Sequence, residues 1–181
     1  MSRKYRLGAG VRGCPPITMG AMRIRTATPT DGADYIELVR ALADYESLEP
    51  PDDPACERLL ADAFSDPPRY DLWIGELDGR VRAYAVTFET YSTFRALPSL
   101  YLEDLFVHPE ARRRGLGAAM LARLRAHAEE RGCGRFEWSV LDWNKGAHEF
   151  YRSLGATIHD DWRLCRIDLP TPGAAAATGR R

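Results

Sequence analysis

The residues best equipped for chemistry lie between positions 100 and 151. An apolar run, Leu100-Tyr101-Leu102-Glu103-Asp104-Leu105-Phe106-Val107, carries two adjacent carboxylates in its middle. Burying charge is costly, so an acidic pair inside such a run is unusual. After His108-Pro109-Glu110-Ala111 comes Arg112-Arg113-Arg114-Gly115-Leu116-Gly117-Ala118. Where such a turn opens a helix, it offers unpaired N–H groups and partial positive charge, which suit pyrophosphate oxygens. Gly115 and Gly117 let the backbone approach a ligand where a side chain would block it, and the three arginines screen the ligand's charge. No Gly-Lys-Ser/Thr follows, and the G-x-G-x-x-G of a dinucleotide fold is absent, which disfavours ATP and NAD. Asn144 and Tyr151 stand further on, and they suggest that the bound compound is a reactant and not only a ligand.

The elements that must hold these groups alternate between strand and helix. Met22–Thr26 reads as a strand. Thr28-Pro29-Thr30-Asp31 reads as a helix start, with Thr as cap, Pro at the first position and an acid at the third. Ile36, Val39, Leu42 and Ala43 mark one face of that helix, which runs to about Tyr45. Asp53-Pro54 opens a shorter helix. Tyr70–Leu77 and Arg80–Tyr91 read as strands joined by a hairpin at Asp78-Gly79. The run 100–107 is the next strand. A helix over 115–131 follows, with Leu116, Met120, Leu124 and Ala128 on its apolar face. Arg135–Leu141 is then a strand, Asn144–Leu154 a short helix, and Trp162–Leu169 a last strand. The order is β-α-α-β-β-β-α-β-α-β, an α/β domain with a mixed, mostly antiparallel central sheet flanked by helices.

The bulk numbers agree with one domain: 181 residues, 45% hydrophobic. A net charge of −1 gives no reason to expect nucleic acid or an anionic membrane as partner. No apolar run is long enough to span a bilayer, and the first 22 residues lack the apolar centre of a secretory signal. The four cysteines, 14, 56, 133 and 165, show neither C-x-x-C nor metal spacing. They read as reduced thiols of a cytoplasmic protein that needs no metal. Residues 1–21 read as an extension or as read-through ahead of a start at Met19 or Met22. Residues 22–170 form the domain, and 171–181 a low-complexity tail.

The chain resembles the GCN5-related N-acetyltransferases (GNAT), and within them the spermidine/spermine (diamine) and thialysine branch. The matching residues are Leu38–Glu49, Tyr101–Val107, Arg112–Gly117, Asp142-Trp143-Asn144, Phe150–Ala156 and Asp161–Leu164. The resemblance implies the GNAT fold, with a sheet that splays after the 100–107 strand. It implies acetyl-CoA as co-substrate, bound by backbone groups around Leu105, Phe106 and Val107, with Arg113 to Ala118 holding the pyrophosphate. Asn144, Lys145, Gly146 and Ala147 would line the cofactor arm, and the enzyme would be a homodimer. Tyr45, Glu46, Glu103 and Asp160 carry over to acceptor contacts.

Acetyl transfer to an amine needs a neutral nitrogen, and at pH 7 only roughly one alkyl amine in a thousand is neutral. A carboxylate removes the proton directly or through a water, and Glu103 is the candidate base. Strand alternation sets Glu103 and Asp104 on opposite faces, so that at most one points into the cleft. The leaving thiolate needs a proton donor. Given the resemblance, that donor is Tyr151, a phenol that stays protonated at neutral pH. Amides of the 105–107 strand would steady the oxyanion. The acceptor stays open among polyamines, thialysine and lysine analogues, a protein lysine or N-terminus, and an aminoglycoside-like amine. A non-catalytic acyl-CoA-binding sensor is the reading from another class.

Overall fold

The computed structural model describes residues 21–170, so the readings of the leading segment and of the tail lie outside the described residues. The chain divides after Ser139 into two compact units. Among its described residues the first holds five strands and three α-helices. The strands are β1 (Met22–Thr26), β2 (Asp71–Leu77), β3 (Arg80–Ser92), β4 (Leu97–Val107) and β5 (Arg135–Trp138). They lie in one sheet in chain order, antiparallel from β1 to β4, with β5 parallel to β4. The mixed, mostly antiparallel sheet expected from the sequence is therefore present.

Two layers cover this sheet. Helix α1 (Gly32–Glu46) follows a 3-10 turn over Pro29–Asp31, and α2 is Asp53–Ala63. Their Tyr35, Ile36, Leu38, Cys56 and Ala63 pack with Leu72, Ile74, Tyr84, Val86 and Phe106. The helix-start reading holds in detail: the Asp31 carboxylate accepts from the Thr28 N–H at 2.7 Å and from its hydroxyl at 2.9 Å. On the other face lies α3 (Leu116–Glu130), burying Leu116, Met120, Leu124 and Ala128 as its periodicity predicts, together with Leu121. Gly75 sets how closely α3 seats. A Cβ there would stand 3.0 Å from the Ala83 Cβ, 3.1 Å from the Met120 sulfur and 3.2 Å from a Leu116 methyl.

One irregularity shapes the functional edge. Val86 faces Asp104 across the β3–β4 ladder, yet its neighbour Thr87 faces Leu102. Glu103 is therefore an extra residue, a β-bulge in β4, and the alternation expected through Glu103-Asp104 is broken there. Below the bulge, Leu100 and Leu102 are buried; above it, Asp104 reaches Tyr84 and Phe106 joins the α1–α2 cluster. A bulge also bends and twists its strand. β5 stays with β4 only over Ser99–Leu102 and stops at Trp138, short of the Leu141 that the sequence predicts. From Glu103 to Val107, no described strand pairs with β4 on the β5 side. The sheet thus opens where the resemblance implies that it splays.

The second unit carries α4 (Lys145–Ser153), close to the predicted helix. The last predicted strand, Trp162–Leu169, is not formed. These residues have no regular structure, and Trp162, Leu164, Ile167 and Leu169 are exposed. Alternating apolar residues specify a strand only where an edge is present to pair with it, and periodicity alone does not supply the edge.

Candidate active site

The helix start at α3 has the form of an anion cradle. Gly115 caps it with φ +86, a left-handed conformation that favours glycine. The first amides, those of Leu116, Gly117 and Ala118, have no acceptor within the helix, and the first intrahelical bond recorded runs from the Ala119 N–H to the Gly115 carbonyl at 3.0 Å. No acid stands in the first turn to compete for them. The residues here therefore fit the pyrophosphate of the expected co-substrate, and the open edge of β4 beside Leu105, Phe106 and Val107 leaves backbone groups for an extended arm.

The three arginines differ in what they do. Arg114 bonds Asp78 of the β2–β3 hairpin at 2.8 Å. Arg113 is exposed at φ +62 and makes no ion pair among the described residues. Arg112 is half-buried. Its Nε donates to the Val107 carbonyl at 2.9 Å, and its guanidinium lies 4.7 Å from the Tyr45 ring centre and 5.6 Å from that of Phe106. It faces the α1 side of the sheet.

That side also holds the acids. Glu103 is exposed at the bulge. Asp104 lies deeper, and the Tyr84 hydroxyl donates to its Oδ2 at 3.3 Å. Burial, and then the negative charge of Glu103, push the Asp104 carboxyl up to about 6, against the Tyr84 hydrogen bond, which lowers it; Glu46 adds a further push upward. Glu46, at the end of α1, is itself raised by burial. Tyr84 is buried and its phenol is raised well above 10, chiefly by desolvation. Tyr45 is 41% exposed, beside Glu46. The sequence reading picked out Glu103, Tyr45 and Glu46 but passed over Asp104 and Tyr84. The acidic pair was visible in the sequence; the bulge that breaks its alternation was not. Tyr84 carried no signal, since a strand aromatic reads as core.

In the second unit, Asn144 caps α4, its side chain accepting from the Ala147 N–H at 3.2 Å. Lys145 reaches back to Asp142 at 3.2 Å, and nothing stands where a Gly146 Cβ would be. Tyr151 is seven residues after Asn144, two turns on. It is half-buried, and desolvation raises its phenol above the ordinary value. Asp160 is exposed in the irregular segment after α4.

The model of the acetyltransferase (GNAT) family matches residues 36–156, a stretch that contains the cradle, the acids and Tyr151. The chain belongs to this family. It is an N-acetyltransferase, and enzymes of this family draw the acetyl group from acetyl-CoA. Among curated relatives, it is 32% identical to thialysine N-epsilon-acetyltransferase of Bos taurus over 161 residues, 83% of this chain and 94% of that one. It is 35% identical to L-ornithine N5-acetyltransferase of Arabidopsis thaliana over 118 residues, 65% of this chain and 46% of that one. Among solved structures, an integron cassette protein of V. cholerae superposes with TM-score 0.71 at 21% identity, covering 81% of this chain and 92% of that one. Among the described residues no group of side chains could hold a metal, and no helix is long and apolar enough to cross a membrane.

Proposed function

We propose that this acetyltransferase modifies a primary amine of a small cationic acceptor, a diamine, polyamine or thialysine-like amine, by direct attack of the amine nitrogen. The observation that carries the reading is the acidic group at the open end of β4: Glu103 at the bulge, Asp104 behind it, and Glu46 from α1. Carboxylates so placed draw an ammonium group by long-range attraction and local pairing. The relatives that act on thialysine and ornithine support it, since both acceptors carry a side-chain amine.

Acetyl-CoA supplies the activated acyl group. Glu103, reachable from solvent, takes the ammonium proton directly or through a water. Asp104 adds a second negative charge when ionised. The α3 amides, with Arg113, hold the pyrophosphate. Tyr151, raised by burial and protonated across the neutral range, donates to the departing thiolate. Asn144, Lys145, Gly146 and Ala147 line the cofactor arm, and Asp160 adds an acceptor contact. We further read the enzyme as a cytoplasmic homodimer. The end of β3 and the turn after it support an interface, with Tyr91 64% exposed and Phe94 wholly so.

Thiol release from acetyl-CoA, measured against a panel of small amines, tests the reading. Small diamines or diamino acids should be the best acceptors, and Tyr151→Phe should lower turnover by about 10²-fold. Release by that variant at the unaltered rate would remove Tyr151 from the reaction.

A further inference from the structure

We infer that Tyr84 is a positioning residue of the acceptor site: its buried hydroxyl holds the Asp104 carboxylate in place and in anionic form, and so sets the lower end of the pH range in which the amine is acetylated. The inference rests on the amine reading above and deepens it.

Tyr84 is fully buried among Tyr35, Ile36, Ile74, Val86 and Phe106. Its ring meets that of Tyr35 edge-on at 5.2 Å and lies 6.5 Å from that of Phe106, centre to centre. A phenylalanine would make the same ring contacts. The hydroxyl needs its own account, because a buried phenol oxygen costs free energy unless it is bonded. Its partner is Asp104, at 3.3 Å. The register explains the meeting. Tyr84 faces Phe106 and Val86 faces Asp104, so Tyr84 and Asp104 are diagonal neighbours on one face of the β3–β4 ladder.

The titratable groups around Asp104 are Glu103 beside it, Glu46 and Tyr35 of α1, Tyr70 ahead of β2, and Tyr84. The two glutamates favour its neutral form. Among the described residues Asp104 makes no ion pair, and Arg112 is engaged by the Val107 carbonyl and the Tyr45 and Phe106 rings. Two of the three phenols direct their protons elsewhere. Tyr70 donates to the Leu59 carbonyl at 2.7 Å, so in its 3.3 Å contact with Tyr35 it accepts and Tyr35 donates. Tyr84 is the phenol whose proton goes to Asp104. A hydrogen bond to the charged form of a carboxyl favours that form. Without it, burial and the glutamates keep Asp104 protonated to higher pH, and the charge that draws an ammonium group is lost there.

Where Asp104 takes up its proton, kcat/KM for a small amine should fall, giving an acid limb near pH 6. Tyr84→Phe takes away the hydroxyl and keeps the ring. We expect it to move the limb up by about one pH unit, the effect of one hydrogen bond to a charged group. Activity should then drop about fivefold at pH 6 and stand within about twofold of the unaltered enzyme at pH 8.5. A loss of packing alone would lower both by the same factor. Tyr35→Phe, which removes a hydroxyl bonded to Tyr70, should leave the limb in place. A limb unmoved in Tyr84→Phe overturns the inference and leaves the amine reading standing. A second measurement uses the unaltered enzyme, isotope-labelled at the tyrosine ζ-carbons. The Tyr84 NMR signal should shift with the midpoint of the limb, as its acceptor takes up a proton. A Tyr84 signal that stays flat across that range also overturns the inference. Acetyl-CoA binding with no small amine acetylated at any pH overturns the amine reading itself, and the inference with it.

Discussion

Glu103 and Asp104 are adjacent carboxylates of nearly equal intrinsic acidity, and the fold gives them different tasks. The bulge leaves Glu103 in solvent and sends Asp104 toward Tyr84, where burial and the neighbouring charge raise its carboxyl to about 6. On the proposal that these acids hold an ammonium acceptor, binding is best when both are ionised, so protonating Asp104 weakens the site. The expected result is an acid limb in kcat/KM near pH 6 that belongs to the free enzyme. Asp104→Asn should lose this limb and fall about tenfold or more at pH 7.5. The same variant should gain about 1–3 kcal/mol of stability at that pH, because a buried charge disfavoured by its surroundings is gone. Denaturant unfolding alongside the pH–rate profile checks both. A limb that survives in Asp104→Asn places it on another group.

At the scale of elements, what was legible in the sequence depended on whether the signal was local. The Thr28–Asp31 helix start, the Asp78-Gly79 hairpin and the α3 stripe each rest on contacts within a few residues, and each is present as read. The end of β5, the missing strand at Trp162–Leu169 and the bulge at Glu103 depend on partners distant in sequence, so periodicity carried no information about them. Arg112 shows the same limit in the candidate site. Three consecutive arginines look alike in sequence, yet one meets Tyr45, one meets Asp78 and one has no ion pair among the described residues. The seating of α3 on the sheet gives a prediction at this scale. Gly75→Val puts two γ-carbons where even a Cβ meets the Met120 sulfur and a Leu116 methyl at 3.2 Å or less. Overpacking of that kind is expected to cost about 1–3 kcal/mol and to move the α3 start proposed to hold the pyrophosphate. Thermal unfolding should drop, and acetyl-CoA affinity measured below the transition should drop with it. Unchanged affinity in a destabilised variant would separate the cradle from the Gly75 contact.

Across the whole molecule, acid acts on function and on the fold through different groups of opposite sign. Arg25 on β1 joins Asp31 at 2.7 Å and Glu76 of β2 at 2.7 Å, tying the first strand and the start of α1 to the sheet. The Arg25 guanidinium holds the nearly buried Asp31 carboxyl well below the usual carboxylate range, with the Thr28 bonds assisting. A carboxyl lowered by folding contributes stability that is present above its unfolded value, near 3.9, and is lost as pH falls below it. Asp104 is raised by folding, so its protonation between about pH 6 and 4 adds stability, by about 3 kcal/mol at most. Lowering the pH from 7.5 to 5 should therefore reduce turnover while the unfolding midpoint holds or rises; the fold should begin to fail only below about pH 4. Asp31→Asn leaves Arg25 without its main partner and should cost about 3 kcal/mol at pH 7. It should also flatten the loss of stability below pH 4, while the acid limb of activity near pH 6 stays in place. Circular dichroism melts and thiol-release rates over the same pH series test the separation. Activity and melting temperature falling together between pH 7 and 5 would show that Asp104 does not govern that range.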